Sequence, residues 1–373
     1  MKLSALAQVL TNDPGPFATA YADVSRAAAD GDDLVALAAR SARSDLVAAG
    51  CPEPVADALA ERLGASTHEG GEVARVVVAS ARGVVLDELV RGRRPQPSAT
   101  WGPLPDLGPW LADATLVVPF VLARVDHAGG SVATYGDGTA GPLRVEQEAG
   151  GDVNYLHKTG ADEHERSVEE EWKRSADDVA AEIQRQVTAG PSLVLLGGEP
   201  DAVSEVKTKL AHVEAEVVEL EGGRRNVDGG EEAFAAEVAA ALRGQVVAAN
   251  LAVLHQLAQR LGERAQGSSS RGAAGLDEVL DALVVGQVDV LLIDPVAAAG
   301  TTVTLAEHPG LGLGAVETTG ALPADQVLVA LAALTDADVR VERSGTLGDQ
   351  PVAALLRWDN AADASEVTSE DTH

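Results

Sequence analysis

The sequence predicts a three-domain α/β protein, and three observations lead there. Strand and helix patterns alternate between about residues 115 and 220, as they do when helices cover a mostly central sheet. Two breaks divide the 373 residues: a Pro-rich stretch from Pro95 to Pro109, and the run Gly267-Ser268-Ser269-Ser270. Apolar residues make up 46% of the chain but aromatics only 3%, so Ala, Val and Leu must fill the cores that this length allows. The expected parts are an N-terminal α+β domain over 1–112, a middle α/β domain with a long helix over 113–245 and a C-terminal α-β-α sandwich over 246–360. A polar, acidic tail expected to be disordered covers 361–373.

Each element has a local reason. The first residues read as a helix ended by Asp13-Pro14-Gly15; one Lys, a short apolar stretch and no small-residue cleavage site do not make a signal peptide. Helical spacing follows at Leu34, Val35, Leu37 and Ala38, at Leu46 and Val47, and at Val55, Leu59 and Leu63, where Pro54 suits a first turn. Val73–Ala79 and Val84–Val90 read as strands of a hairpin across Ser80 to Gly83. The middle domain opens on a β-branched run, Thr115 to Val125, with strands near 131–135 and 143–148. A glycine-bearing loop, 149–162, leads into a helix from about Glu163 to Val187, whose Val168, Trp172, Ala176, Val179, Ile183 and Val187 recur at helical spacing. A buried strand at 192–196, a helix at 201–211 and a strand at 215–220 complete it. A helix from Glu231 to about Arg264 then precedes the last domain. There, helices at 276–283 and 324–334 alternate with strands at 288–293, 301–305, 339–342 and 352–357.

Net charge is −30, from 28 basic and 58 acidic residues, which argues against non-specific nucleic-acid binding, DNA included. No unbroken run of eighteen apolar residues occurs, and on that ground a membrane span is not expected. The lone Cys51 can form no internal disulfide. These points favour the cytoplasm. Local basic clusters occur at Arg91-Gly92-Arg93-Arg94, His157-Lys158, Lys173-Arg174 and Arg224-Arg225, where solvated surface is the plainer account of each.

The search for chemistry returns little. No G-x-x-x-x-G-K-[ST] loop occurs, and Gly310 to Ala315 fits a dinucleotide pattern only by letters, with no helix after it. Gly197-Gly198 ends a strand ahead of a helix, where an anion could sit, although turn chemistry explains the pair as well. The eight His are scattered. His157 and His164 lie near Asp162, Glu163 and Glu165, but Glu163 and Glu165 in a first helical turn simply complement the helix dipole. G-x-S-x-G is absent, and Cys51 has no nearby base. No metal, cofactor or catalytic centre is expected.

One stretch identifies more. Gly275 to Ile293, GLDEVLDALVVGQVDVLLI, puts Leu276, Val279, Leu280 and Leu283 on one helix face and exits through Gly286 into a strand. In order and register it resembles the start of the C-terminal domain of the archaeal and eukaryotic class I release factor and Pelota superfamily. The preceding strands, loop, long helix and strand–helix–strand are similar in layout to that superfamily's middle domain. The helix start with Trp172 looks like its bacterial branch, which includes the ribosome hibernation factor Balon. The resemblance covers about residues 115–358; the N-terminal domain is similar only in position and size.

The resemblance implies an RNase H-like middle domain and a ribosome partner, met at the rRNA of the A site and peptidyl-transferase centre. It also implies elongation factor Tu as a possible GTPase partner. Active members carry Gly-Gly-Gln in the loop before the long helix, to position water. Here no Gly-Gly-Gln occurs; Gly222-Gly223-Arg224 and Gly229-Gly230-Glu231 are the nearest letters, and the codon-reading Asn-Ile-Lys-Ser is absent. Ribosome occupancy without peptide release is therefore expected, in hibernation or in rescue of stalled ribosomes. Its rRNA contacts are expected at Tyr155, by stacking, and at His157, Lys158, Arg166, Lys173, Arg174, Arg93 and Arg94. Two alternatives stay open: a peptidyl-tRNA hydrolase using His164 or Glu163 of the 150–166 loop as base, and a protein-interaction module of stress physiology.

Overall fold

A computed structural model describes residues 3–359, apart from 68, 70, 93–94, 127–128, 137–143, 150–160, 189, 224–229, 267–269 and 309; over 144–149 and 161–172 it describes the backbone alone. The chain divides into two compact units. A terminal unit combines Met1–Leu116 with Asn250–His373, and a middle unit comprises Val117–Ala249.

The terminal unit begins with α1 (Ser4–Asn12), β1 (Phe17–Asp23), α2 (Gly31–Ala48), α3 (Glu53–Gly64), β2 (Val73–Ser80), β3 (Gly83–Arg91), β4 (Ser98–Gly102) and α4 (Gly108–Ala114). The strands form an antiparallel sheet in the order β3-β2-β1-β4, with β2 and β3 joined as the expected hairpin. Leu46 of α2 and Leu59 and Leu63 of α3 are fully buried with Ala18, Ala20 and Ala22 of β1. The face of β1 toward the helices carries only Ala18, Ala20 and Ala22, so two helices can approach it closely. The Pro-rich stretch is not a free linker, as expected from its composition. Between its prolines, Ser98–Gly102 pairs with β1 as an edge strand, a place where flanking prolines lose no ladder hydrogen bonds.

The middle unit contains β5 (Phe120–Asp126), β6 (Gly129–Tyr135), β7 (Arg144–Ala149), α5 (Ala161–Thr188), β8 (Leu193–Gly198), α6 (Pro200–Lys209), β9 (Glu216–Glu219) and the first half of α7 (Glu231–Ala265). The sheet order is β7-β6-β5-β8-β9, with β5, β8 and β9 parallel and β6 and β7 antiparallel. Alternate residues of β5 supply two cores. Val121, Ala123 and Val125 pack with Val179 and Ile183 of α5 and Val203 and Val206 of α6. Phe120 packs with Leu195, Leu220 and Phe234 of α7.

The second half of α7 returns to the terminal unit. There follow β10 (Gly272–Ala274), α8 (Leu276–Val284), β11 (Val288–Ile293), α9 (Pro295–Ala299), β12 (Thr302–Thr304), β13 (Ala321–Pro323), α10 (Ala324–Leu334), β14 (Asp338–Val341) and β15 (Val352–Leu356). The sheet runs β10-β15-β11-β14, and only β11 and β14 are parallel. Leu257 of α7 packs with Leu292, Ala353 and Leu355 of the sheet. α10 is buried along its length from Val327 to Ala333, so its stripe is apolar all round. It also packs against α1. Beside that contact the Ala315 N–H donates to the Leu10 carbonyl at 2.7 Å. Gly314 sits at φ +69°, and a Cβ there would lie 2.3 Å from the Leu10 oxygen. Of the glycines in 310–315, Gly314 thus serves close packing, while Gly312 faces open space.

α7 holds an 18-residue window of mean hydropathy 1.3, so by length and composition it is long and apolar enough to cross a membrane. A search for unbroken apolar runs passes over it. None of that window is buried in the protein; of α7 only Phe234 and Leu257, toward its two ends, are buried in cores.

Candidate functional site

The long helix α5 carries most of the described surface that the sequence singles out. Ala176, Val179, Ala180 and Ile183 recur every three or four residues and are buried, which turns Lys173, Arg174, Asp177, Asp178, Gln184 and Arg185 outward. Polar contacts fix its C-terminal half. The Lys209 ammonium of α6 donates to Asp177 at 2.6 Å, and the Thr134 hydroxyl of β6 donates to Gln186 Oε1 at 2.9 Å. Gln186 Nε2 in turn donates to Glu182 at 2.6 Å, and Arg185 pairs with the same carboxylate, which is 2% exposed. A buried carboxylate with two donors is satisfied and rigid.

Tyr155, His157, Lys158, Arg93 and Arg94 lie outside the described residues, and Arg166, Glu163 and His164 are placed by their backbone within α5 without a described side chain. Lys173 and Arg174 are described, and both are exposed. As neighbours on a helix they point about 100° apart. Lys173 lines a cavity of about 340 Å³ with Asp126, Asp201 and Glu205, above a floor of Ala176, Val179, Ala202 and Val206. Three carboxylates beside one ammonium disfavour a phosphate at that spot. Arg174 does not line this cavity.

The opposite face of the sheet shows a group that pattern reading missed. Arg124 of β5 reaches Glu231 of α7 with both guanidinium nitrogens, at 2.7 and 3.2 Å, while its charge lies 5.0 Å from the centre of the Phe234 ring. Phe120 stacks on Tyr135 with ring centres 4.5 Å apart. Phe234 rests on glycines: a Cβ at Gly197 would come within 2.9 Å of the ring, and one at Gly223 within 2.7 Å. The Gly222-Gly223 pair that superficially echoes Gly-Gly-Gln therefore has a packing role. Gly198 has one too. It sits at φ +140°, and a Cβ would fall 2.0 Å from the Val125 carbonyl oxygen, so the pair of glycines lets β8 leave the sheet beside β5. No signal short of knowing the strand pairing could have found this.

The carboxyls with raised pKa among the described residues lie elsewhere, in the terminal unit. Burial, then the nearby Asp106 carboxylate, pushes Asp325 at the start of α10 up to about 6. Burial raises Asp106 and Glu342 as well. Their setting is a packed junction: a Cβ on Gly108 of α4 would lie 3.6 Å from an Asp325 oxygen and 3.8 Å from an Asp106 oxygen. Among the described residues no three His, Cys, Asp or Glu gather to hold a metal.

Comparison with known proteins bears on the middle unit. Residues 119–263 match the model of bacterial archaeo-eukaryotic release factor family 2. Over 357 residues the chain is 27% identical to an uncharacterized protein of Mycobacterium tuberculosis, covering 93% of this chain and 90% of that one. Among solved structures, Pelota of Archaeoglobus fulgidus is 13% identical with a TM-score of 0.33, covering 95% of this chain and 91% of the other. A translation termination-like factor of S. cerevisiae involved in RNA quality control is 8% identical with a TM-score of 0.41, covering 78% and 81%. These two likenesses are too distant to carry an argument.

Proposed function

We propose, on the premise that residues 119–263 form a domain of the bacterial archaeo-eukaryotic release factor family, that this chain is a non-catalytic ribosome-associated translation factor. It acts in the cytoplasm and occupies the A site during hibernation or rescue of stalled ribosomes, with elongation factor Tu as a candidate partner. The observation that carries the reading is the family match over a domain whose chain contains no Gly-Gly-Gln. A factor of this layout without the tripeptide keeps the means to occupy the site and loses the group that would place water for hydrolysis. Tyr155, His157, Lys158, Arg166 and Arg174 remain the proposed rRNA contacts, with Arg93 and Arg94 from the N-terminal domain. Lys173 is the weakest of the set because of its acidic neighbours.

Co-sedimentation tests the reading. Tagged protein from stationary-phase cells is expected in the ribosomal fraction at physiological salt, and peptidyl-tRNA incubated with those complexes is expected to stay intact. Protein confined to the free fraction would sink the ribosome reading. Cleavage lost on His164→Ala would replace it with a hydrolase.

A further inference from the structure

The four basic clusters visible as runs in the sequence are not where the described structure gathers its arginines. A hollow of about 340 Å³ in the terminal unit is lined by Arg260 of α7, Arg271 just before β10, and Arg357 just after β15, together with Gln256 and Asp289. Arg357 lies 86 positions beyond Arg271, and the sheet register brings it to the other two. Gly272 pairs with Leu355, and the Leu356 N–H donates to the Arg271 carbonyl at 2.9 Å, which sets Arg271 beside Arg357. Arg260 arrives because Gly272 has no side chain: a Cβ there would stand 2.9 Å from Arg260 Cβ.

The arginines have different jobs. Arg357 Nη1 and Nη2 donate to the carbonyls of Gly286, Thr335 and Asp336, at 2.7 to 3.2 Å, so its guanidinium is spent on the ends of α8 and α10 and supplies a fixed positive charge. Arg260 donates to Glu263 at 3.0 Å, and Arg271 Nε donates to Asp359 at 3.0 Å; side-chain exposures are 34% and 52%. Ion pairs this exposed contribute roughly 0.2–1 kcal/mol each, so both arginines can exchange a carboxylate for a better ligand at little cost. A phosphate offers that, because it accepts two parallel N–H bonds from one guanidinium. In a chain of net charge −30, three guanidiniums around one hollow stand out. Asp289, within the hollow and 4.0 Å from Arg357 Nε, offsets part of that fixed charge, so each of the three arginines has a carboxylate partner and an anion must compete with all three.

We propose that this hollow is a phosphate-binding site, with Arg260 and Arg271 as the ligating arms and Arg357 as the fixed charge behind them. The shared chemistry is a phosphate group, carried either by an RNA backbone or by a free phosphate or mononucleotide. The inference is independent of the ribosome reading, since purified components test it and co-sedimentation does not enter.

The full-length protein is titrated with a fluorescein-labelled eight-nucleotide oligouridine, with uridine monophosphate and with inorganic phosphate at low and physiological salt. Wild type is compared with the double variant Arg260→Gln, Arg271→Gln and with an arginine control elsewhere, Arg43→Gln, Arg62→Gln. The site double variant is expected to lose about tenfold in affinity and to flatten the salt dependence by about one unit per lost contact, while the control keeps both. Oligonucleotide bound far more tightly than the small probes identifies the RNA backbone as the source. Equal binding of all three identifies a single phosphate. Unaltered thermal melting of each variant secures the comparison. Binding that is absent in wild type, or that survives unchanged in the site variant, overturns the proposal.

Discussion

The two units share a reliance on close backbone approach and differ in how they hold buried acids. The middle unit depends on backbone closeness and on aromatic rings. Gly198 lies where any Cβ would strike the Val125 carbonyl, and Phe234 is pressed on glycines with Arg124 against it. Among its described residues it buries one carboxylate, Glu182, held by Gln186 and Arg185, and keeps pairs such as Lys209–Asp177 and Arg124–Glu231 nearer the surface. The terminal unit also buries rings, Phe17, Tyr21 and Trp110, and has its own close backbone approach at Gly314. Burial there raises the pKa of two acids it encloses, Asp325 and Glu342, each 6% exposed. The difference teaches that both units should be fragile where a glycine meets backbone, at Gly198 and at Gly314, while the terminal unit should be the more sensitive to pH.

The largest expected effect is Gly198→Ala. The clash is with the Val125 backbone of the paired strand and φ is +140°, so neither strand can yield cheaply, and the middle unit should lose about 4 kcal/mol or more. Calorimetry that resolves two unfolding transitions should show one displaced or lost and the other unmoved; equal loss in both would break the contrast between the units. Phe234→Ala comes next, at about 3–4 kcal/mol, because it removes a buried ring and the cation–π partner of Arg124 together. Urea melts followed by Trp110, which lies in the terminal unit, should barely change for this variant.

The smallest effect sharpens the electrostatic half of the contrast. Asp325 has a folded-state pKa of about 6 against an ordinary 3.8, so the folded state holds its proton more tightly than the unfolded chain does. Stability of the terminal unit should therefore fall as pH rises from about 4 to about 6, and stay level above that. Asp106→Asn removes the neighbouring charge that adds to the shift. It should raise stability by about 1 kcal/mol at pH 7.5 and leave it unchanged near pH 4. A gain of equal size at both pH values would mean that Asp106 acts through packing alone.

The sequence pattern disclosed most elements of the fold, because periodicity is a local property. The α5 stripe from Ala176 to Ile183 and the helix–turn–strand from Leu276 to Ile293 lie where their spacing put them. β1 escaped because Phe17-Ala-Thr-Ala-Tyr-Ala-Asp carries none of the Val and Ile density that marks a buried strand, although it is the strand between β2 and β4. β4 escaped because prolines on either side look like a linker. The site was less legible still. Lys173 and Arg174 are adjacent letters, yet only Lys173 lines an acid-rimmed cavity, since a helix separates neighbours by rotation. Arg260, Arg271 and Arg357 were invisible as a group because a register joins them, and register is not written in any single segment.

The contact between α1 and α10 has a consequence for synthesis. The apolar face of α1, Leu6, Val9 and Leu10, is committed mainly to a partner made about 300 residues later, with β3 as the nearer neighbour. Until α10 is out, that face has only its contact with β3, so the nascent chain carries a partly uncovered hydrophobic stripe over that interval. The slowest step in maturation should be this late closure of α10 onto α1.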